Sequence, residues 1–256
     1  MLLVLDVGNT NTTLGVYDGE TLTHSWRLTS ERQRTVDEYG IMCRTLLALA
    51  GLESSSIRGI AVSSVVPPLD FTLYKMAEVY FGLHPLFVNA GNAGIPILYD
   101  DPKEVGADRI VNAVAALARY GGPCIIVDFG TATTFDAISR AGEYLGGIIY
   151  PGIQISADAL FQRAARLRNT EIRRPEKLIG TNPTASIQSG LYHGNIALVD
   201  GLLEKMVEEL GEGTRVVATG GLAPLISRGS RLISSVDADI TLEGLRIIHE
   251  RNSSQT

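Results

Sequence analysis

The sequence contains very little cysteine and tryptophan: two cysteines and one tryptophan in 256 residues. Cys43 and Cys124 lie far apart, each beside apolar residues, so they form neither a CxxC pair nor a zinc-binding spacing. We therefore expect two buried, reduced thiols, as is typical of a cytoplasmic protein.

Other absences exclude whole classes of function. No apolar run reaches the ~18 residues that a membrane-spanning helix needs, and Asp6 interrupts the short apolar run at the start, so we expect no signal peptide and no membrane partner. The missing Gly-Lys dipeptide excludes a Walker A loop, and no G-x-G-x-x-G opens a helix. A formal net charge of −6 argues against nucleic acid as a partner.

The hydrophobic pattern predicts alternating strands and helices, which is typical of an α/β protein. Thr35 and Glu38 have the spacing of a capping box, and Gly51 is a plausible end for the helix that they begin. Residues 86–104 are predicted to be rich in loops. The predicted strands are 2–7, 12–17, 20–28, 58–66, 124–128, 133–138, 143–150 and 215–219, and the predicted helices are 35–51, 68–81, 107–120, 152–167, 184–210 and 241–251.

Two stretches share one outline: LDVGNTNTTLGVYDGETL at 5–22 and VDFGTATTFDAISRAGEYL at 127–145. In each, an aspartate ends an apolar strand and begins D-x-G-[NT]-x-[NT]-T, and a strand, a turn and a further strand follow. Asp128 lies about half the chain length beyond Asp6. This repeat predicts two similar lobes facing each other across a cleft, an N-terminal lobe at 1–118 and a C-terminal lobe at 119–256.

The composition of the two turns suits phosphate. Glycine lets the backbone approach a ligand closely, and successive N–H groups in a turn form a concave anion site. A carboxylate beside a phosphate needs a cation between them, so Asp6 and Asp128 are natural ligands of Mg²⁺ or another hard cation. A single D-x-G-x-T is also a common hairpin turn with no function, and it is the duplication that favours phosphate binding.

Two further stretches allow both a structural and a functional interpretation. In VVATGGL at 216–222, Gly220-Gly221 either forms an ordinary strand-to-helix turn or lets an adenosine approach bare backbone. In EVGADRIVNA at 104–113, Asp108 either caps a helix with Arg109 in solvent, or accepts a proton from a substrate hydroxyl while Arg109 binds a substrate carboxylate.

Together these elements resemble the type III pantothenate kinases, of the acetate and sugar kinase/heat-shock chaperone/actin superfamily. The resemblance covers essentially the whole chain, and its motifs occur in the order that is typical of the family. The matching motifs are DVGNTNT at 6–12, GADR at 106–109, DFGTATT at 128–134, GGIIYPG at 146–152, QSG at 188–190, ATGGL at 218–222 and TLEGL at 241–245.

The resemblance implies an α/β fold of two actin-like (ribonuclease H-like) lobes, each a mixed β-sheet flanked by helices, with a nucleotide cleft between them. It implies ATP-dependent phosphorylation of pantothenate, the first step of coenzyme A biosynthesis. Asp128 would bind a monovalent cation, K⁺ or NH₄⁺, and Asp6 would lie close to Mg²⁺. The residues implied to bind ATP are Asp6, Val7, Gly8, Asn9, Thr10, Asn11, Thr12, Thr13, Thr131, Gly220 and Gly221.

On the substrate side, the resemblance implies that Asp108 is the proton acceptor and that Gly106, Ala107, Asp108 and Arg109 hold pantothenate, with Tyr99 lining the same pocket. Where the family commonly has Asn-Thr before the QSG motif, this chain has Asn-Pro-Thr. Either Thr184 contacts substrate, which we prefer, or Pro183 occupies the position and contributes only shape. The family resemblance also implies a homodimer.

Two other functions are compatible with the sequence. One is a kinase of the same fold that acts on another small hydroxy acid. The other is a non-catalytic nucleotide-binding regulator, although retention of Asp6, Asp108 and Asp128 argues against it.

Overall fold

The structure is a computed structural model and describes residues 1–164 and 169–254. The chain divides into two compact units. The first contains Met1–Ile95, Tyr99–Ala115 and the chain from Asp239 onward, and the second contains Pro96–Leu98 and Ala116–Ala238. The lobe division at residues 118 and 119 stays a prediction; in the structure the chain leaves the first unit after Ala115 and returns to it at Asp239.

The first sheet belongs to the first unit. In chain order, the elements are β1 (Leu2–Val7), β2 (Asn11–Asp18), β3 (Thr21–Thr29), α1 (Val36–Leu49), β4 (Gly59–Ser64), α2 (Pro67–Phe81), β5 (Leu86–Phe87) and α3 (Ala107–Tyr120), with 3₁₀ turns at Ser54–Ser56 and Pro102–Glu104. The strand order is β3-β2-β1-β4-β5. The first three strands are antiparallel, and β4 and β5 run parallel to β1.

The second sheet repeats this arrangement. Its elements are β6 (Cys124–Phe129), β7 (Ala132–Ile138), β8 (Tyr144–Pro151), α4 (Ile153–Arg163), α5 (Pro183–Leu210), β9 (Arg215–Gly220), α6 (Ala223–Ile226) and β10 (Ser235–Val236), and α7 (Ile240–Ser253) follows in the first unit. The strand order is β10-β9-β6-β7-β8. Again three strands are antiparallel and two run parallel to the central strand. The predicted pair of mixed sheets flanked by helices is confirmed.

The side chains of the central strands, β1 and β6, alternate between the two faces of each sheet. On β1, Leu3 and Leu5 pack with α1 and α2 in the core of the first unit, and on β6, Ile125 and Val127 pack with α5 in the core of the second. Because side chains alternate along a strand, each aspartate lies on the face of its sheet opposite to these core residues. Each aspartate is the penultimate residue of its strand, at the end where the turn begins.

The predicted elements lie close to the observed ones, with three differences. The two-residue strands β5 and β10 were not predicted, because two residues are too few to show a period. The helix predicted at 152–167 is observed as Ile153–Arg163, and 165–167 lie outside the described residues. No helix in the described ranges is both long and apolar enough to cross a membrane.

Two local predictions are confirmed. The Thr35 hydroxyl accepts the Glu38 N–H at 3.3 Å, and the Glu38 carboxylate accepts the Thr35 N–H at 2.7 Å, which completes the capping box of α1. Cys43 and Cys124 are free and buried. Burial raises the pKa of both thiols to about 12, so almost no thiolate forms at neutral pH.

Helix α7 packs on β1 and β4 of the first sheet and crosses α3 at very close range. A Cβ added to Gly244 would lie 2.0 Å from the carbonyl oxygen of Val111. Beside this crossing, the Thr241 hydroxyl donates to the Asn112 side-chain oxygen at 2.8 Å. Glycine at 244 therefore sets the spacing between the backbones of the two helices.

We expect Gly244→Ala to lower the free energy of unfolding by about 1–3 kcal/mol, because the added methyl group forces α3 and α7 apart. Urea unfolding followed by circular dichroism measures the change. Gly194→Ala in α5 is the matched control, since nothing lies within 4 Å of its added methyl group. Replacement of glycine within a helix should raise the control's stability by up to about 1 kcal/mol. Equal effects of the two variants would contradict the close crossing.

Candidate active site

The first acid-led turn consists of residues 8–10 between β1 and β2. The Gly8 N–H donates to the Asn11 carbonyl oxygen at 3.0 Å, which closes the turn. A Cβ at Gly8 would lie 3.1 Å from that same oxygen, so the tight closure favours glycine. Asn9, Thr10 and Asn11 are exposed. The turn thus offers short polar side chains and main-chain groups to a ligand.

The predicted ATP-binding residues at 6–13 divide into two groups in the structure. Asp6, Gly8 and Thr13 are half-buried, and Thr13 lies opposite Asp6 across the β1–β2 pair. Val7 belongs to the apolar core of the first unit, and Thr12 is fully buried. The side chains of Val7 and Thr12 therefore serve the structure, and both residues lie in the strands that flank the turn.

Sequence reasoning missed two residues that support this turn. The Ser30 hydroxyl donates to the Gly8 carbonyl oxygen at 2.6 Å, so in its 2.8 Å contact with the Thr12 hydroxyl it is the acceptor. The Arg32 guanidinium donates to the side-chain oxygen of Asn9 at 3.0 Å. Both residues follow β3, and no local motif marks them, because their role depends on sheet pairing alone.

The second acid-led turn has the equivalent place in the second unit and is one residue shorter. Gly130 and Thr131 join β6 to β7, and the Gly130 N–H donates to the Ala132 carbonyl oxygen at 3.0 Å. Both turn residues are exposed, and Asp128 is half-buried on the sheet face away from the core. Across the sheet, Asp128 has Thr134 and Thr219 as its register partners on either side.

Two glycines allow backbone to approach this second turn. A Cβ at Gly220, whose φ is +90°, would lie 2.5 Å from an Asp128 carboxylate oxygen. A Cβ at Gly152, just before α4, would lie 2.2 Å from the Thr131 carbonyl oxygen. The structure thus brings Asp128, Thr131 and the Gly220-Gly221 motif together at one edge of the second sheet.

Asp108 lies in the first turn of α3, in the first unit. Its carboxylate accepts the backbone N–H of Arg109 at 2.8 Å, and a Cβ at Gly106 would lie 2.6 Å from the same oxygen. Burial raises the pKa of Asp108 above its ordinary value, although the Arg109 N–H and the Arg109 charge act in the opposite direction. A carboxylate with a raised pKa is a stronger base, which suits a proton acceptor.

The same segment lies beside the first acid-led turn. The Cβ position of Gly106 is 3.5 Å from a Val65 methyl group, and the Val65 N–H donates to the Val7 carbonyl oxygen at 3.1 Å. Ala107 and Arg109 are buried, the latter with 7% of its surface exposed, so the interpretation of Arg109 as a solvent residue is wrong. Within the first unit, the structure therefore brings the GADR motif to the end of the strand that carries Asp6.

The remaining predicted substrate residues lie in the second unit or at its border. Tyr99 is 37% exposed and directly follows Leu98, whose N–H donates to the Tyr144 carbonyl oxygen at 2.8 Å. Pro183 and Thr184 are the first two residues of α5 and are exposed. Asn182 caps this helix by accepting the Ala185 N–H at 2.9 Å.

Within residues 1–164 and 169–254, no group of three or more His, Cys, Asp and Glu side chains is assembled to hold a metal ion. Asp6 and Asp128 each have hydroxyl-bearing residues as register partners. This fits Mg²⁺, which commonly takes one or two protein carboxylates and completes its coordination with substrate phosphates and water.

The fold is similar to several solved structures. One, described as a conserved putative Baf family transcriptional activator from Campylobacter jejuni, has a TM-score of 0.62 at 19% identity and covers 98% of this chain and 99% of its own. The activator of 2-hydroxyisocaproyl-CoA dehydratase from Clostridium difficile, solved with bound ADPNP, has a TM-score of 0.56 at 12% identity over 99% and 96% of the two chains. A ROK hexokinase from Thermus thermophilus has a TM-score of 0.54 at 15% identity over 100% and 99%. The chain therefore has the actin-like fold of the sugar kinases.

The relatives by sequence are more specific. A family model described as type III pantothenate kinase matches residues 2–205. Proteins named type III pantothenate kinase are 58% identical in Koribacter versatilis, over 100% of this chain and 97% of the relative, and 53% identical in Geobacter sulfurreducens, over 98% and 99%. The chain belongs to the type III pantothenate kinase family.

We expect Asp108→Asn to raise the Tm at neutral pH, because burial penalises the charge that the substitution removes. The folded-state pKa of Asp108 is raised, so this cost is present at a pH above it. The cost disappears as the pH falls from the raised value to the ordinary one, and the two Tm values should then converge. Differential scanning fluorimetry from pH 8 to pH 4 measures this.

Asp18→Asn is the matched control, because Asp18 is an exposed aspartate at the last position of β2. Its Tm should follow that of the unsubstituted protein at every pH. An Asp108→Asn variant with a lower Tm at neutral pH would show that the carboxylate is stabilised, and not strained, by its surroundings.

Proposed function

We propose that this protein transfers the γ-phosphoryl group of ATP to the 4′-hydroxyl of pantothenate, which is the first step of coenzyme A biosynthesis. The single observation that carries the proposal is family membership over essentially the full chain. The intact GADR motif, with a half-buried Asp108 whose pKa is raised, agrees with it. The product is 4′-phosphopantothenate, and the second product is ADP.

Both acid-led turns are proposed to bind the phosphates of ATP. Residues 8–11 present main-chain groups and short side chains in the first turn, and Thr131 does so in the second. Gly220 and Gly221 are proposed to lie beside the adenosine, because glycine lets a ligand come close to the backbone. Val7 and Thr12 contribute only their main chain, because their side chains are buried.

Asp108 is proposed to accept the proton of the 4′-hydroxyl. The hydroxyl oxygen then forms a bond to the γ-phosphorus, and the bond from that phosphorus to the β–γ bridging oxygen breaks, which releases ADP. Phosphoryl transfer of this kind depends more on positioning and charge neutralisation than on strong base catalysis. A carboxylate with a raised pKa meets that requirement.

Pantothenate is proposed to lie against Tyr99, Gly106, Ala107 and Arg109, with the guanidinium facing the substrate carboxylate. Arg109 is buried, and a buried guanidinium has strong electrostatic reach because little water screens it. At the start of α5, Thr184 is proposed to contact substrate, and Pro183 to give the helix its first turn.

Asp6 is proposed to lie close to Mg²⁺ and Asp128 to bind K⁺ or NH₄⁺. When bound, these cations would neutralise the charge on the transferring phosphoryl group. Each carboxylate has hydroxyl neighbours in sheet register: Thr13 and Ser63 for Asp6, and Thr134 and Thr219 for Asp128. We further propose a cytoplasmic location, in keeping with the two reduced thiols.

A homodimer is proposed through the β8–α4 surface. β8 is an edge strand of the second sheet. Edge strands with apolar side chains are normally shielded from solvent by another element or another chain. Ile149 is 63% exposed and Ile155 is 44% exposed, and Tyr150 and Leu160 add further apolar area. A second copy of the chain would cover this surface.

We expect the purified protein to phosphorylate pantothenate with ATP and Mg²⁺ when K⁺ or NH₄⁺ is present, and to lose most of this activity when Na⁺ replaces them. A radiolabelled ATP assay over a panel of small hydroxy acids measures the product. Asp108→Asn should lower kcat by about 10²–10⁴-fold with ATP binding nearly intact. Turnover of another hydroxy acid but not pantothenate would support the alternative kinase, and ATP binding without any turnover would support a regulator.

We expect Ile149→Asp to convert a dimer into a monomer, because a charge at the centre of the apolar surface opposes its burial. Light scattering after size exclusion should give twice the 27.5 kDa mass of one chain for the unsubstituted protein, and the mass of one chain for the variant. Val79→Asp is the control, since Val79 is equally exposed at 64% but lies on α2 in the first unit. A dimer that survives Ile149→Asp would rule out this surface.

A further inference from the structure

Asp136 is a carboxylate that lies fully buried in the second sheet, on β7, with 0% of its surface exposed. One carboxylate oxygen accepts the Tyr144 hydroxyl at 2.8 Å, and the other accepts the Thr134 hydroxyl at 3.2 Å. Tyr144 is itself fully buried. Burial of a carboxylate is costly, and two of the partners here are neutral hydroxyl groups, so the placement calls for a functional explanation.

The internal repeat shows that the fold does not require this carboxylate. Thr13 lies opposite Asp6 in the first sheet, and Thr134 lies opposite Asp128 in the second. Two residues after each threonine, the first copy has Gly15 and the second has Asp136. A Cβ at Gly15 would lie 3.0 Å from side-chain carbons of Leu242 and Val4, so the equivalent space in the first unit is filled by apolar packing.

Thr134 connects Asp136 to Asp128. The three side chains share one face of the sheet, because Asp128 and Thr134 are register partners and Asp136 follows Thr134 by two residues on the same strand. Directly opposed residues of an antiparallel pair have Cβ atoms about 4.5–5.5 Å apart. The Thr134 hydroxyl is therefore a close neighbour of the Asp128 carboxylate.

The direction of the hydrogen bond determines what the Thr134 hydroxyl offers to that neighbour. The Thr134 hydroxyl donates its single proton to the Asp136 carboxylate. The hydroxyl oxygen is then left with lone pairs alone, which attract a cation and repel a second acceptor. A hydroxyl oriented in this way beside Asp128 is an oxygen ligand for a hard cation.

We propose that Asp136 is a positioning residue that fixes the Thr134 hydroxyl as an acceptor beside Asp128 and thereby strengthens the binding of a monovalent cation there. The inference rests on the proposed cation role of Asp128. The Tyr144 hydroxyl binds the other oxygen of the Asp136 carboxylate. Two hydrogen bonds hold the backbone of Tyr144: its N–H donates to the Pro96 carbonyl oxygen at 2.9 Å, and its carbonyl oxygen accepts the Leu98 N–H at 2.8 Å.

Asp136→Asn tests the proposal. Asparagine has a single acceptor oxygen in place of the two that accept the Tyr144 and Thr134 hydroxyl protons, so the Thr134 proton is no longer fixed away from Asp128. The expected result is a K⁺ concentration for half-maximal activity that rises by about 10–100-fold, the usual range for residues that support a metal ligand, with kcat at saturating K⁺ within a factor of three. Binding of Tl⁺, a K⁺ substitute, followed by ²⁰⁵Tl NMR on the full chain without substrates, should weaken by the same factor.

Thr134→Val gives an independent test that does not rely on the folding of the Asp136 variant, since it removes only the hydroxyl. It should weaken Tl⁺ binding as Asp136→Asn does. Tyr120→Phe is the matched control, because it removes a hydroxyl group that donates a hydrogen bond to another carboxylate of the second unit, Asp237, at 2.8 Å. It should lower the Tm without changing the response to K⁺ or Tl⁺.

The outcomes separate the inference from the proposed function. Unchanged Tl⁺ binding in Asp136→Asn and Thr134→Val would overturn the inference and leave the kinase assignment standing. A further outcome is that the unsubstituted protein binds Tl⁺ without phosphorylating pantothenate, and that both variants bind Tl⁺ less tightly. In that case the inference stands and the substrate assignment is wrong. A loss of kcat at saturating K⁺ with unchanged cation affinity would also overturn the positioning role.

Discussion

Strand alternation is the constraint on which this structure depends. β1 and β6 each pack on one face against a helical core that contains residues such as Leu5 and Val127, and on the other face Val4 and Ile126 are buried as well. Every second side chain must then point to the opposite face. An aspartate placed one residue before the end of such a strand is held by the whole sheet, yet it emerges beside a short turn whose main-chain groups are accessible. Duplication of this unit supplies two such carboxylates.

Three carboxylates in this chain differ in character because their contacts differ. Asp108 lies in the first turn of a helix, where burial raises its pKa and makes it a better base. Asp128 lies against the bare backbone of Gly220, which leaves no room for a side chain beside it. Asp136 is buried and accepts the hydroxyl groups of Tyr144 and Thr134. The same chemical group thus has three different environments, which the local packing determines.

Much of the fold could be predicted from the sequence, since the strands and helices carry strong hydrophobic periods and clear end signals such as Thr35 and Gly51. The repeat also predicted the matched pair of sheets. The contacts that complete the turns could not be predicted. Ser30 and Arg32 reach the first turn only through sheet pairing, and no motif marks them. The burial of Arg109 likewise depends on tertiary packing, which a pattern of neighbouring residues does not contain.

The chemistry of the two cysteines has a practical consequence. Cys43 and Cys124 are both buried, with thiol pKa values of about 12, so neither competes for a reagent that requires thiolate. A new cysteine at an exposed position, such as Ser55 after α1, would then be the reactive one among the described residues. A fluorophore could be attached at one chosen point in the native sequence background, and conformational responses to nucleotide could be followed without first removing either natural thiol.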